Sequence, residues 1–167
     1  MPNRSSSRMR SSRPTGLRAV FLFFFLGLTL GRAAAGADAP PAAGDVEAKD
    51  AWLRLLPAGV PAGGYLTLIN TGSREWVLIG ASSADFGEVS LHLTHNHEGM
   101  SMMEPMESLA LKPHATVRFA EGGYHIMFKE PKRPLHPGDK VNVVLHLRGG
   151  AAVEVSFDVR SGNSGAP

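Results

Sequence analysis

The chain has 167 residues, enough for one domain or two small ones. Its 17 Lys+Arg against 15 Asp+Glu give +2, but Arg4, Arg8, Arg10, Arg13, Arg18 and Arg32 are the only charged side chains before Asp38, so residues 38–167 hold 11 basic against 15 acidic groups, a balance of −4. A mildly acidic body without a basic cluster lacks the phosphate-neutralising charge that nucleic-acid binding needs, and the absence of Cys excludes disulfides, thiolate metal sites, Cys nucleophiles and a lipid-modified N-terminal Cys.

The first segment reads as an address. Met1 to Arg18 is basic and Ser-rich, and it runs into an apolar stretch of 12 residues, Ala19 to Leu30. A membrane-spanning helix needs roughly 20 apolar residues, whereas a basic region, a short apolar core and then small residues describe an export signal. Cleavage after Ala35 or Ala37 is expected. Residues 1–37 are therefore assigned to a signal peptide and residues 38–45 to a linker. A β domain is expected over 46–160 and a flexible tail over 161–167.

Beyond the linker no stretch keeps an apolar 3.6-residue period for three turns. Short alternating runs predict strands at Val46 to Leu55, Gly64 to Asn70, Trp76 to Ala81, Val89 to Leu93, Ala115 to Phe119, Tyr124 to Phe128, Lys140 to Leu147 and Val153 to Val159. Turn residues separate them, among them Asn70 to Gly72, Glu121 to Gly123 and Gly149 with Gly150. Short strands at this spacing predict an all-β, two-sheet antiparallel sandwich or Greek-key barrel in a single domain. In the last two runs, Val141, Val143 and Leu145, and then Val153, Val155, Phe157 and Val159, alternate with polar positions, so one face is expected to be buried. His146 falls on the wet face and is given no role.

The unusual chemistry lies between Leu91 and Met106. His92, His95 and His97 are followed by Met100, Met102, Met103 and Met106. Asn96, Gly99 and Pro105 interrupt the run and predict an irregular loop. Met usually fills cores, and thioethers crowded into a polar loop have no core to fill. A second cluster follows Gly122 and Gly123: on a strand, His125 and Met127 share one face while Tyr124, Ile126 and Phe128 share the other. The glycines are expected to set the pair near a rim of the sandwich.

Thioether sulfur is a soft, neutral donor that suits Cu(I) and binds Zn, Mg or Ca poorly, and imidazole serves copper in either oxidation state. Neutral ligands leave the ion's charge uncompensated, which favours handing it over. Met and His also survive an oxidising compartment where paired thiols are lost to disulfides.

At this point the sequence resembles the periplasmic copper-chaperone family PCu(A)C, whose signature is a His, ten residues, a Met, twenty-one residues, a His, one residue and a Met. His92, Met103, His125 and Met127 reproduce those gaps without insertion or deletion. Ala51 with Trp52, Gly63 to Tyr65, Asn70 to Gly72, Gly122 to His125, and Lys132 to Leu135 before Gly138 and Asp139 also resemble the family, over roughly Val46 to Val159. The resemblance implies a cupredoxin-like Greek-key fold and one exposed Cu(I) held by His92, Met103, His125 and Met127. It also implies delivery to a periplasmic client, such as a cytochrome c oxidase subunit or another assembly chaperone. Near Met103, the gap count alone separates that residue from Met100, Met102 and Met106.

Leu93 after the first His, and the added His95 and His97, depart from the pattern. With Glu98 these imidazoles are candidates for a second site that accepts Cu(II). No acid, base and nucleophile trio is evident, so no enzyme is expected. The expected product is a soluble, monomeric copper carrier. The competing readings are a periplasmic copper store or buffer, and an Ig-like interaction domain without metal.

Overall fold

The computed structural model of the chain describes residues 43–57, 59–97 and 99–162, the side chains of residues 96 and 97 excepted. The export signal expected over residues 1–37, most of the linker and the end of the tail lie outside these residues. Ten strands account for the body: β1 (Val46–Leu55), β2 (Ala62–Asn70), β3 (Trp76–Ser82), β4 (Phe86–His97), β5 (Met100–Pro105), β6 (Leu109–Leu111), β7 (Thr116–Phe119), β8 (Tyr124–Pro131), β9 (Lys140–Leu147) and β10 (Ala152–Ser161). There is no helix among the described residues.

The strands form one continuous sheet in the order β5-β4-β8-β2-β1-β10-β9-β3-β6, with β7 paired to the far half of β2. Strand β1 runs parallel to β10, and the other pairings are antiparallel. The sheet curls until its two ends share one core. Phe128 of β8 touches Phe157 of β10, with ring centroids 5.9 Å apart, and Phe86 of β4 lies 5.0 Å from Phe128. Val141, Val143, Leu145 and Leu147 on β9, and Val155, Phe157 and Val159 on β10, are buried as the alternation predicts. Burying each such side chain contributes about 1.5–3 kcal/mol. A Cβ on Gly64 would collide with the Phe128 ring, so glycine is what lets β2 lie against the aromatic centre of the core. Asn70, fully buried, closes the far end: its amide donates to the carbonyls of Arg74, Leu111 and Lys112, and its side-chain oxygen accepts from the Gly72 N–H.

Two departures from the sequence reading position the site. Strand β1 carries a bulge between Lys49 and Trp52, where Asp50 has φ 53°. The extra residue reverses the alternation, so Leu53 faces the core while Trp52 lies on the outer face against Tyr65, with ring centroids 4.7 Å apart. The second departure corrects the irregular loop expected between Leu91 and Met106. Strands β4 and β5 form a regular hairpin, with His92 opposite Pro105, Thr94 opposite Met103, His95 opposite Met102 and His97 opposite Met100. The three interrupting residues are accommodated rather than disruptive, Asn96 by pairing opposite Ser101 within the hairpin. Gly99, at φ 82°, makes the turn, and Pro105 ends an edge strand, where a missing N–H costs no ladder bond. Strand β6, three residues long, carried no sequence signal.

Candidate metal centre

Strand β8 flanks β4 only from Phe86 to Leu93, and β5 flanks it only from His92 to His97. His92 and Leu93 are thus the positions where β4 is paired on both sides. Past Thr94, whose N–H donates to the Gly123 carbonyl at 3.0 Å, the hairpin leaves the body as a two-stranded arm.

Directly opposed residues of an antiparallel pair share a face. His92 is opposite His125, Ser90 is opposite Met127, Thr94 is opposite Met103, and Met127 is opposite Gly63 of β2. All these residues therefore stand on the outer face, while Leu91, Ile126 and Phe128 point into the core. Met103, His125 and Met127 line one cavity of about 220 Å³, together with Thr94, Tyr65 and Arg54. His92 lies beside it, its ring centroid 5.7 Å from that of His125. The same register puts Met100 and Met102 on the opposite face of the arm, and Met106 packs against the core with its N–H bonded to the Leu91 carbonyl at 2.8 Å. Of the four neighbouring thioethers, Met103 is the one that shares a face with His92.

The imidazoles are held with one nitrogen engaged and the other unpartnered. His125 Nδ1 lies 3.0 Å from the Gly123 carbonyl oxygen. A carbonyl only accepts, so Nδ1 carries the proton and Nε2 the lone pair. That Nε2 is buried and has no hydrogen-bond partner, and the same is true of His92 Nδ1. His92 Nε2 is 3.0 Å from Ser90 Oγ, which can accept its proton and leave the lone pair on Nδ1. A buried imidazole lone pair without a donor is costly unless something else binds it. An outer hydrogen bond that fixes the ring and its tautomer is the usual arrangement behind a metal-ligating His. Burial, then the neighbouring His125 and Lys129, push His92 below the ordinary imidazole range against a smaller opposing effect of Glu88. The ring is therefore kept neutral, the form that coordinates.

His125 is itself buried, at 7% exposure, whereas Met127 is half-buried. Met103, by contrast, is 52% exposed. Beside the cavity Arg54 donates to Glu121 at 2.6 Å, a half-exposed ion pair that leaves the entrance without net charge. The Tyr65 phenol, raised by burial, stays protonated there. Ser90 was missed in the sequence, although it lies two residues before His92 on the same strand face, and Gly123, just before β8, was read there only as setting the pair near a rim and not as the hydrogen-bond partner of His125. Arg54 and Glu121, 67 residues apart, left no local signal. Of the second set, His95 is half-buried on the opposite face, while the His97 side chain and Glu98 lie outside the described residues. His146 bonds Ser82 Oγ at 2.8 Å, far from this cluster in the strand order. No group of three His, Asp or Glu side chains able to hold a metal is found among the described residues. No helix among them is long and apolar enough to cross a membrane.

The comparisons with known proteins agree with this architecture. The lipoprotein Lxx21020 of Leifsonia xyli subsp. xyli is 30% identical over 116 residues, covering 69% of this chain and 69% of that one. The copper-bound PCuAC domain from PmoF2 superposes with a TM-score of 0.60 at 24% identity, over 73% of this chain and 97% of that domain. The solution structure of CuI-DR1885 from Deinococcus radiodurans gives a TM-score of 0.55 at 28% identity, over 75% of this chain and 83% of that one. The fold is cupredoxin-like, as the sequence resemblance implied. The model of the LpqE-like lipoprotein family matches residues 46–159, although the 167 residues contain no cysteine to carry a lipid. The chain belongs to the LpqE-like family and has the fold of a PCuAC domain.

Proposed function

We propose that this protein binds one Cu(I) through His92, Met103, His125 and Met127 and delivers it to a copper-accepting protein outside the cytoplasm. The observation that carries the reading is the pair of buried, unpartnered imidazole nitrogens, His92 Nδ1 and His125 Nε2, beside a cavity bordered by two thioethers. Two imidazoles and two thioethers form a neutral, soft donor set, which selects Cu(I) over Cu(II), Zn or Mg. The copper-bound PmoF2 domain and the Cu(I) form of DR1885 support the same cargo.

The residues divide the work. His125, its tautomer fixed by Gly123, and His92, seated on Ser90, present lone pairs without reorganisation. Met127 closes the cavity from β8, and Met103 approaches from the arm. Because no ligand is anionic, the loaded site keeps the charge of the ion, and the Arg54–Glu121 pair adds none. Such a site releases Cu(I) to a thiolate acceptor more readily than a thiolate site would. The export signal enters this proposal from the basic and apolar pattern of residues 1–37, and the periplasmic setting and a client in cytochrome c oxidase assembly through the family resemblance.

The test is anaerobic Cu(I) titration against a competing chelator, with X-ray absorption of the loaded protein. One tight equivalent with mixed nitrogen and sulfur donors is expected, lost in His92→Ala and weakened in Met127→Ala. A sulfur-free first shell, or unchanged affinity in both variants, overturns the assignment.

A further inference from the structure

The arm formed by the ends of β4 and β5 has two faces, and the proposed Cu(I) site uses one of them. The other face holds His95 directly opposite Met102, with Met100 two residues along the same strand and therefore on the same side. Strand β8 does not reach this far, so these side chains are not covered by the next strand of the sheet. Met100 is 63% exposed and Met102 44%, two of the most exposed large apolar side chains among the described residues. Neither packs in the core, where Met ordinarily serves. His97 occupies the register position opposite Met100.

We infer that this face is a second soft-metal site, in which His95, Met100 and Met102 bind Cu(I). Cross-strand Cβ atoms lie about 5 Å apart and same-face neighbours on one strand about 7 Å. Flexible Met side chains and an imidazole rooted at those three points can meet over a single ion. One nitrogen and two sulfurs, all neutral, again favour the monovalent soft ion; the Cu(II) set suggested by His95, His97 and Glu98 has no thioether to do this. The two sites are back to back on one two-stranded arm, since Met103 and Met102 are adjacent residues on opposite faces. The second site is shallow and has fewer donors, so it loads after the first and exchanges faster.

This inference stands on the arm alone and does not require the first site. Its test uses the full chain with ¹³C-labelled Met ε-methyl groups, titrated anaerobically with Cu(I) and separately with redox-inert Ag(I). Two equivalents are expected, the first shifting the methyls of Met103 and Met127 and the second those of Met100 and Met102. Met100→Leu/Met102→Leu conserves volume at exposed positions; it should weaken the second equivalent by at least about tenfold and leave the first intact. His92→Ala/His125→Ala should do the reverse. A single equivalent in the parent, or Met100 and Met102 methyls that never move while those of Met103 and Met127 do, overturns the second site without touching the first. Loss of the Met103 and Met127 shifts alone overturns the first without touching the second.

Discussion

The two halves of the proposed first site are built in opposite ways. His92 and His125 face each other on neighbouring strands inside the sheet, His125 buried and His92 half-buried, each with one nitrogen tied to the protein. Met103 sits 52% exposed on an arm that is supported by a single partner strand. In the proposed site the hydrogen-bonded half would fix where the ion binds, and the exposed half would govern how it enters and leaves. Affinity and exchange are thereby assigned to different parts of the chain.

The largest effect that separates body from arm is on folding. Ile126→Ala, at a fully buried position on β8, should destabilise by about 2–5 kcal/mol in denaturant unfolding, whereas Met103→Ala should stay within about 0.5 kcal/mol. Equal costs would show that the arm packs as part of the body. Next comes binding. His125→Ala should weaken Cu(I) by about 100-fold or more, at least what the loss of an outer-shell partner costs in other metal sites. Because His125 is buried, its truncation should also cost about 1 kcal/mol of apo stability, and chelator competition alongside thermal melts separates the two effects.

Met103→Leu should cost about tenfold at the first site, while Met102→Leu one residue away should change it by less than about twofold, since the thioether lost there faces away. Equal losses from the two would mean that the arm rotates to offer either face. The smallest effect is on pH. His92 is held below its ordinary pKa of 6.5, by burial first and then by His125 and Lys129. The unfolded chain therefore takes up this proton at higher pH than the folded one. Its contribution to apo stability is complete above about pH 6.5 and declines as pH falls toward the folded value. A His92→Gln variant should show a flatter stability profile between about pH 7 and 5; an identical slope would remove His92 as its source.

Much of the body could be read from alternation. Strands β9 and β10 bury the residues that a period of two selects, β8 buries Ile126 and Phe128 in the same way but His125 as well, and the parity that paired His125 with Met127 is the one observed. The arm was not legible, because Gly99 and Pro105 count as breakers in a local reading and become harmless only at a turn and at a sheet edge. The distinction between Met103 and Met102 likewise depends on register, which one strand alone does not carry. His92 and His125 meet across 33 positions of sequence, and a family spacing pointed to them together where local pattern did not. The bulge at Asp50, which turns Trp52 outward onto Tyr65, is the same kind of long-range effect.

The Gly123 carbonyl has a consequence of its own. It accepts both from His125 Nδ1 and from the Thr94 N–H, each at 3.0 Å. A single oxygen thus serves as the pivot pin between the ring and the root of the arm. The arm cannot swing away from the body without straining the bond that orients the imidazole, and the ring cannot turn without loosening the arm's last anchor. Hydrogen exchange at the Thr94 amide therefore becomes a gauge of the histidine's orientation, readable from a residue that has no ligand atom of its own.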